Sequence, residues 1–116
     1  MNENIVTLSV STIDEINARI LVAVASGKPQ RPRINFASVE LMWRILNPKR
    51  TEILRAMTGQ GPLSIREVAR RVGRDVKAVH GDVHALLNAG VIDRSGKGVV
   101  FPYDGVHVDF MLGMAA

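Results

Sequence analysis

Residues 64–92 read SIREVARRVGRDVKAVHGDVHALLNAGVI, and most of the side chains in this chain that can do chemistry are gathered there. Arg70, Arg71 and Arg74 surround Gly73, and Lys77, His80, Gly81, His84 and Asn88 follow at the spacings of one helical side. Arginine and lysine neutralise phosphates, and lysine, histidine and asparagine carry donors suited to base edges. Lys97 is a further cation, set between Gly96 and Gly98. Recognition of an anionic polymer is the chemistry these residue types offer. Arg66, taken alone, reads as part of a solvated face.

Bond-making chemistry finds little support. The stretch Gly59-Gln60-Gly61-Pro62 is too short and wrongly placed for a nucleotide loop, and no Ser, His and Asp stand in an order with supporting context. The absence of cysteine excludes disulfides, thiolate catalysis and cysteine-ligated metal, and fits a reducing compartment. His80 and His84 are spaced i, i+4, as paired metal ligands are, and His107 is the remaining histidine. With only Asp82 and Asp109 as acids near ligand spacing, these histidines are expected to be polar surface or DNA contacts. No catalysis, no cofactor and no metal are expected.

Composition bounds the partner class. A chain of 116 residues suffices for one core, or one domain with an arm. Its 15 Lys and Arg against 11 Asp and Glu give a net charge of +4, which leans toward nucleic acid. The opening MNENIVTLSV lacks the basic start and long apolar run of a secretory signal. The longest strongly apolar run, residues 20–25, falls far short of the roughly 18 to 20 residues that span a membrane. A cytoplasmic chain without membrane contact is expected.

The elements that must position these residues follow from periodicity and capping. Residues 5–10 read as a strand, and Ser11 or Thr12 can cap a helix carrying Ile13, Ile16, Ile20 and Val24 at three- and four-residue spacings. GKPQRPR, residues 27–33, is a loop or linker by its prolines and glycine. After it come a brief extended piece at 34–36 and a helix capped by Ser38 with Val39, Met42, Trp43 and Leu46. Met42 and Trp43 are expected in the core, with a dimer interface as the alternative. Asn47-Pro48 starts a helix bearing Ile53, Leu54 and Met57.

Ser64 and Glu67 form the capping-box pattern for a helix burying Ile65, Val68, Ala69 and Val72, and Gly73 ends it. Asp75 can cap a helix over 75–89 burying Val76, Val79, Val83, Leu86 and Leu87. Strands at 91–94 and 99–101 joined by Ser95-Gly96-Lys97-Gly98 read as a hairpin. Residues 106–112 alternate like a half-buried strand, able to add to a sheet or to pair with another subunit.

Ala69, Gly73 and Val79 have the spacing that lets two helices cross closely: a small residue, a glycine turn, an apolar lock. With the preceding helix and the following hairpin this is the element order of a winged helix-turn-helix. If Val79, Val83 and Leu86 face inward, Lys77, Gly81, His84 and Asn88 lie opposite at about 100° per residue, with His80 beside them. Gly81 would let backbone approach DNA closely. The three arginines and Lys97 are expected on phosphates.

At LNPKRTEILRAM, the 64–92 stretch and FPYDGVHVDF, residues 46–110 in all, the chain resembles the small MarR-like winged-helix transcriptional regulators of archaea and bacteria. That resemblance implies sequence-specific DNA binding, usually as a dimer, and some such regulators act as antitoxin-like repressors. By position in the recognition helix it implies contacts from Arg74, Lys77, His80 and His84. Gly81 departs from the pattern, where an acidic or basic residue is common.

The expectation is therefore an α+β chain, mostly helical: an N-terminal strand-helix arm over 1–33, used for dimerisation or partner binding, and a winged helix-turn-helix over 34–116. Helix 75–89 would read the major groove of double-stranded DNA, and the wing 91–101 would lie on the backbone, in a transcriptional regulator of repressor type. A homodimer through Ile13, Ile16, Ile20 and Val24 is expected. The alternative is an antitoxin-like interaction module that holds a toxin through the arm.

Overall fold

Val6 and Leu8 are fully buried in β1 (Ile5–Val10) and alternate with half-buried Ile5 and Thr7, as in a strand covered more closely on one face. The computed structural model, which describes residues 4–28 and 32–111, carries β1 at the centre of a three-stranded sheet. Its neighbours β2 (Arg33–Phe36) and β5 (Gly105–Asp109) both run parallel to it. Parallel neighbours need a crossover, and α1 (Ile13–Ser26) supplies the one between β1 and β2. Thr12 caps α1, accepting from the Glu15 N–H, and Asp14 and Glu15 occupy its positive end.

Polar contacts tie α1 to this sheet. Arg19 donates to Asn35 Oδ1 at 3.1 Å and to Ser11 Oγ at 2.9 Å, and the Ser9 hydroxyl donates to the same Asn35 oxygen at 2.8 Å. No α1 side chain is fully buried.

The chain divides into two compact units, Met1–Met42 with Gly105–Ala116, and Trp43–Asp104. This differs from the boundary expected after Arg33. The reason is pairing: β2 and β5 join β1 and carry their flanking residues into the first unit. The C-terminal strand thus adds to a sheet of its own chain. It ends at Asp109, and Leu112, expected within it, lies outside the described residues.

Helix α2 (Val39–Ile45) leads into the second unit, where α3 (Pro48–Met57), α4 (Ile65–Val72) and α5 (Val76–Asn88) pack against one another. Asn47 caps α3, taking the Arg50 N–H at 3.0 Å, and Pro48 sits in the first turn, where no donor is lost. Ile53, Leu54 and Met57 from α3, Val68 and Ala69 from α4, and Val79, Val83 and Leu86 from α5 are buried, each large aliphatic contributing about 1.5–3 kcal/mol. Ile65, Val72 and Leu87 are half-buried and Val76 is exposed, so the apolar stripes are narrower than their periodicity suggests.

Strands β3 (Asp93–Ser95) and β4 (Gly98–Val100) form an antiparallel hairpin. It starts later than expected because Val91 completes the end of α5: its N–H bonds back to the Leu86 carbonyl at 3.0 Å, past Gly90 at φ 79°. Leu63 adds a third pairing, exchanging two 2.8 Å hydrogen bonds with Val99. A side chain on Gly98 would bring a Cβ to 2.4 Å from the Leu63 carbonyl oxygen, so this close approach requires glycine.

The chain is α+β, with five helices and two small sheets among the described residues. About half of those residues are helical, less than expected, because the first unit is organised around a sheet. No helix among them is long and apolar enough to cross a membrane.

Candidate functional site

Gly73, at φ 68°, ends α4 in the left-handed conformation that costs glycine least, and the Arg74 N–H reaches back to the Ala69 carbonyl at 3.1 Å. Two residues later Asp75 caps α5 by accepting from the N–H groups of Lys77 at 3.1 Å and Ala78 at 3.4 Å. Ala69 and Val79 are both buried, as their spacing across this turn requires. With Val79, Val83 and Leu86 inward, Lys77, His80, Gly81 and Asn88 are exposed and His84 is half-buried on the other side. His80 and His84 meet there, their Nε2 atoms 3.1 Å apart. A Cβ on Gly81 would touch nothing within 4 Å, so no packing inside this chain calls for the glycine.

Lys97 is exposed in the two-residue turn Gly96-Lys97, and Gly96 takes φ 58°.

The arginines around the turn are more engaged than their spacing implies. Arg70 and Arg71 both clamp Glu67, Arg70 through two hydrogen bonds and Arg71 through Nε at 3.0 Å. Arg71 also donates to Gln60 Oε1 at 2.6 Å. Glu67 therefore spends its carboxylate on arginines, and only the serine half of the capping box forms, with Ser64 Oγ accepting the Glu67 N–H at 3.0 Å. The hydrogen bond from Arg70, then that from Arg71, pushes the Glu67 carboxyl down to about 2. Arg70 keeps 70% of its side chain in solvent and can still meet a phosphate.

Arg74 turns inward instead. Its Nη2 donates to Asp82 Oδ2 at 2.8 Å, and Arg50 Nε donates to Asp82 Oδ1 at 3.0 Å. Arg50 also donates to the Arg44 and Ile45 carbonyls at the end of α2. Burial pushes the Asp82 carboxyl up, but the hydrogen bonds from Arg74 and Arg50 outweigh it and hold it below its ordinary range. The Arg74 side chain is 19% exposed, and its Nη1 is buried with no partner. Its position in the turn suited a phosphate contact, whereas the structure gives it a bracing role.

Asp82, Arg50 and Glu67 belong to the site although helical period does not mark them. For Glu67 a local signal exists, since Arg70 and Arg71 follow at i+3 and i+4. Arg50 and Asp82 are 32 residues apart, and no local pattern joins them.

Charge is concentrated on the second unit, where 11 Lys and Arg face 6 Asp and Glu; the rest of the chain has 4 against 5. In the first unit, Ile13, Ile20, Leu21 and Val24 are exposed along one side of α1, Ile13 and Val24 by three quarters, and Val22 is exposed on the other side. Ile16 is half-buried and leaves the stripe, and Leu21 joins it. Trp43, expected in the core beside Met42, is half exposed, while Met42 is fully buried. Among the described residues no three His, Asp or Glu side chains group to hold a metal.

The chain is a small α+β protein whose second unit holds the excess of positive charge and whose first unit exposes the apolar residues of α1. The chain belongs to the HVO_A0114 family, whose model matches residues 45–108, from the end of α2 into β5. No curated protein and no solved structure matches it.

Proposed function

We propose that residues 43–104 form a MarR-like winged helix-turn-helix, and that the protein is a cytoplasmic regulator of repressor type binding double-stranded DNA. Helix α5 enters the major groove, and the β3–β4 hairpin is the wing lying on the backbone. The observation that carries this reading is the outward side of α5. It presents Lys77, His80, His84 and Asn88 around a mid-helix glycine that serves no internal packing, in the unit that holds the excess of positive charge. Lys77 and His84 read base edges, Arg70 and Lys97 hold phosphates, and Arg74 holds the turn.

Selection of bound duplexes from a random pool, followed by a salt titration on the selected site, tests this. Five free cations on phosphates would have given a slope of log affinity against log salt near −4 per subunit; with Arg71 and Arg74 engaged internally and Lys77 on a base edge, Arg70 and Lys97 give about −2. A slope near zero, or a pool that emerges unenriched, would sink the reading.

The exposed apolar stripe of α1 favours assembly as well. A stripe of Ile13, Ile20, Leu21 and Val24 without a charge in it suits an equally apolar surface, and a second copy brings one by symmetry. A two-fold dimer would set two α5 helices about 34 Å apart on a pseudo-palindrome. Deleting residues before Arg33 would remove the central strand, so the test is Ile20→Lys with Val24→Lys. Light scattering should find the parent dimeric and the variant monomeric; a monomeric parent removes the proposal. A toxin bound through the same stripe is the competing outcome.

A further inference from the structure

We propose that His80 and His84 form a bidentate site for one borderline divalent cation of the zinc, nickel or copper kind, loaded on the outward side of α5. The two residues are a turn apart on one helix, where Cβ atoms come within about 5–6 Å. Their rings converge, with centroids 4.2 Å apart, planes tilted by 44°, and Nε2 facing Nε2 at 3.1 Å. Two nitrogens bound to one ion at about 2.0–2.1 Å, with bond angles from 90° to 109°, lie about 2.9–3.4 Å apart. The hydrogen-bonded spacing already matches that bite, and a modest turn of each ring aims both Nε2 atoms at one ion.

Without metal, one ring donates its Nε2 proton to the other. Binding requires both Nε2 lone pairs to face the ion, so the donating ring moves its proton to Nδ1 through solvent, and no net proton is released. The helix pays the ordering cost in advance, because both rings stand on an element held by Val79, Val83 and Leu86. Asp82, the nearest acid in sequence, is occupied by Arg50 and Arg74 and supplies no third ligand. Water fills the remaining positions, and copper should bind more tightly than nickel or zinc.

The consequence for regulation rests on the DNA reading above. The ion would occupy the nitrogens that face base edges, so metal and DNA compete for α5.

The test begins without DNA. Zinc chloride, titrated against a chromophoric chelator, should bind at one equivalent per chain. His80→Ala and His84→Ala should each lower affinity at least about tenfold, and His107→Ala should leave it unchanged. Nitrogen-15 shifts should report zinc on Nε2 of both rings. Unchanged affinity in His80→Ala, or binding through Nδ1, overturns the site; circular dichroism shows whether each variant is folded. Zinc should then weaken duplex binding by the parent protein and spare that by His80→Ala. If the metal site holds and zinc leaves duplex binding untouched, the competition is overturned and the placement of α5 on DNA is what fails.

Discussion

The Arg74 guanidinium donates to Asp82 Oδ2 at 2.8 Å, so the residue after the Gly73 turn is locked to the middle of the helix that follows. Arg50 takes the other oxygen of the same carboxylate, which ties α3 into the corner. Three elements thus meet on one charge, shielded to 14–19% exposure. Asp82→Ala would strand two guanidinium groups and should cost about 2–3 kcal/mol, below the range for fully buried pairs because water retains some access. Urea denaturation of Asp82→Ala, Arg74→Ala and the double variant measures it. If the two losses simply add, the pair is not coupled.

Acid should loosen both this corner and the arginine clamp on Glu67 in α4. Glu67 titrates near 2 in the folded chain against 4.5 ordinarily, and Asp82 lies below its usual 3.8. Both folded values are depressed, so the unfolded chain takes up protons first as pH falls. Stability should be level above about pH 5 and decline between about 4.5 and 2. Denaturation midpoints taken across that range check it, and Glu67→Gln should flatten the decline. A parent midpoint unchanged from pH 5 to 2.5 would remove the linkage.

The helical unit was largely legible in the sequence, because capping and glycine stops are local: Asn47, Ser64, Gly73 and Asp75 do what their types imply. The outward residues of α5 followed from a period of about 3.6 once Val79, Val83 and Leu86 were placed inward. What could not be read was whatever depends on distant partners. Nothing near Asp82 announces Arg50, and nothing near residue 106 announces a parallel neighbour at residue 6. Arg74 sat at the right position for a phosphate and was claimed by a nearer carboxylate. Trp43 followed the helical period, but its side turned to solvent.

Gly81 offers a separation of stability from binding. Alanine there meets no atom within 4 Å and removes the entropic penalty of a glycine inside a helix, so Gly81→Ala should stabilise the chain by about 0.5–1 kcal/mol. If backbone lies close to DNA at this point, the same variant should bind its selected duplex at least about tenfold more weakly. Thermal melts and a fluorescence anisotropy titration give the two readings. A stabilised variant with full affinity would place the DNA elsewhere.

Reading and holding should separate as well. Lys77→Ala and His84→Ala should each narrow the gap between selected and random duplex by about 1–3 kcal/mol, whereas Lys97→Ala should weaken both almost equally. Competition binding with the two duplexes distinguishes them. Sequence preference lost in Lys97→Ala alone would make the hairpin the reader.

The pairing of Ile5 with Gly105 sets an order of events when the chain is made. The central strand of the sheet leaves the ribosome before β5 and waits while about a hundred residues are synthesised before that neighbour exists. The helices between them make contacts near in sequence and can close first. During that interval β1 has an open edge and its apolar residues lack their final cover, which makes it the segment most exposed to chaperones and to mispairing with other nascent chains.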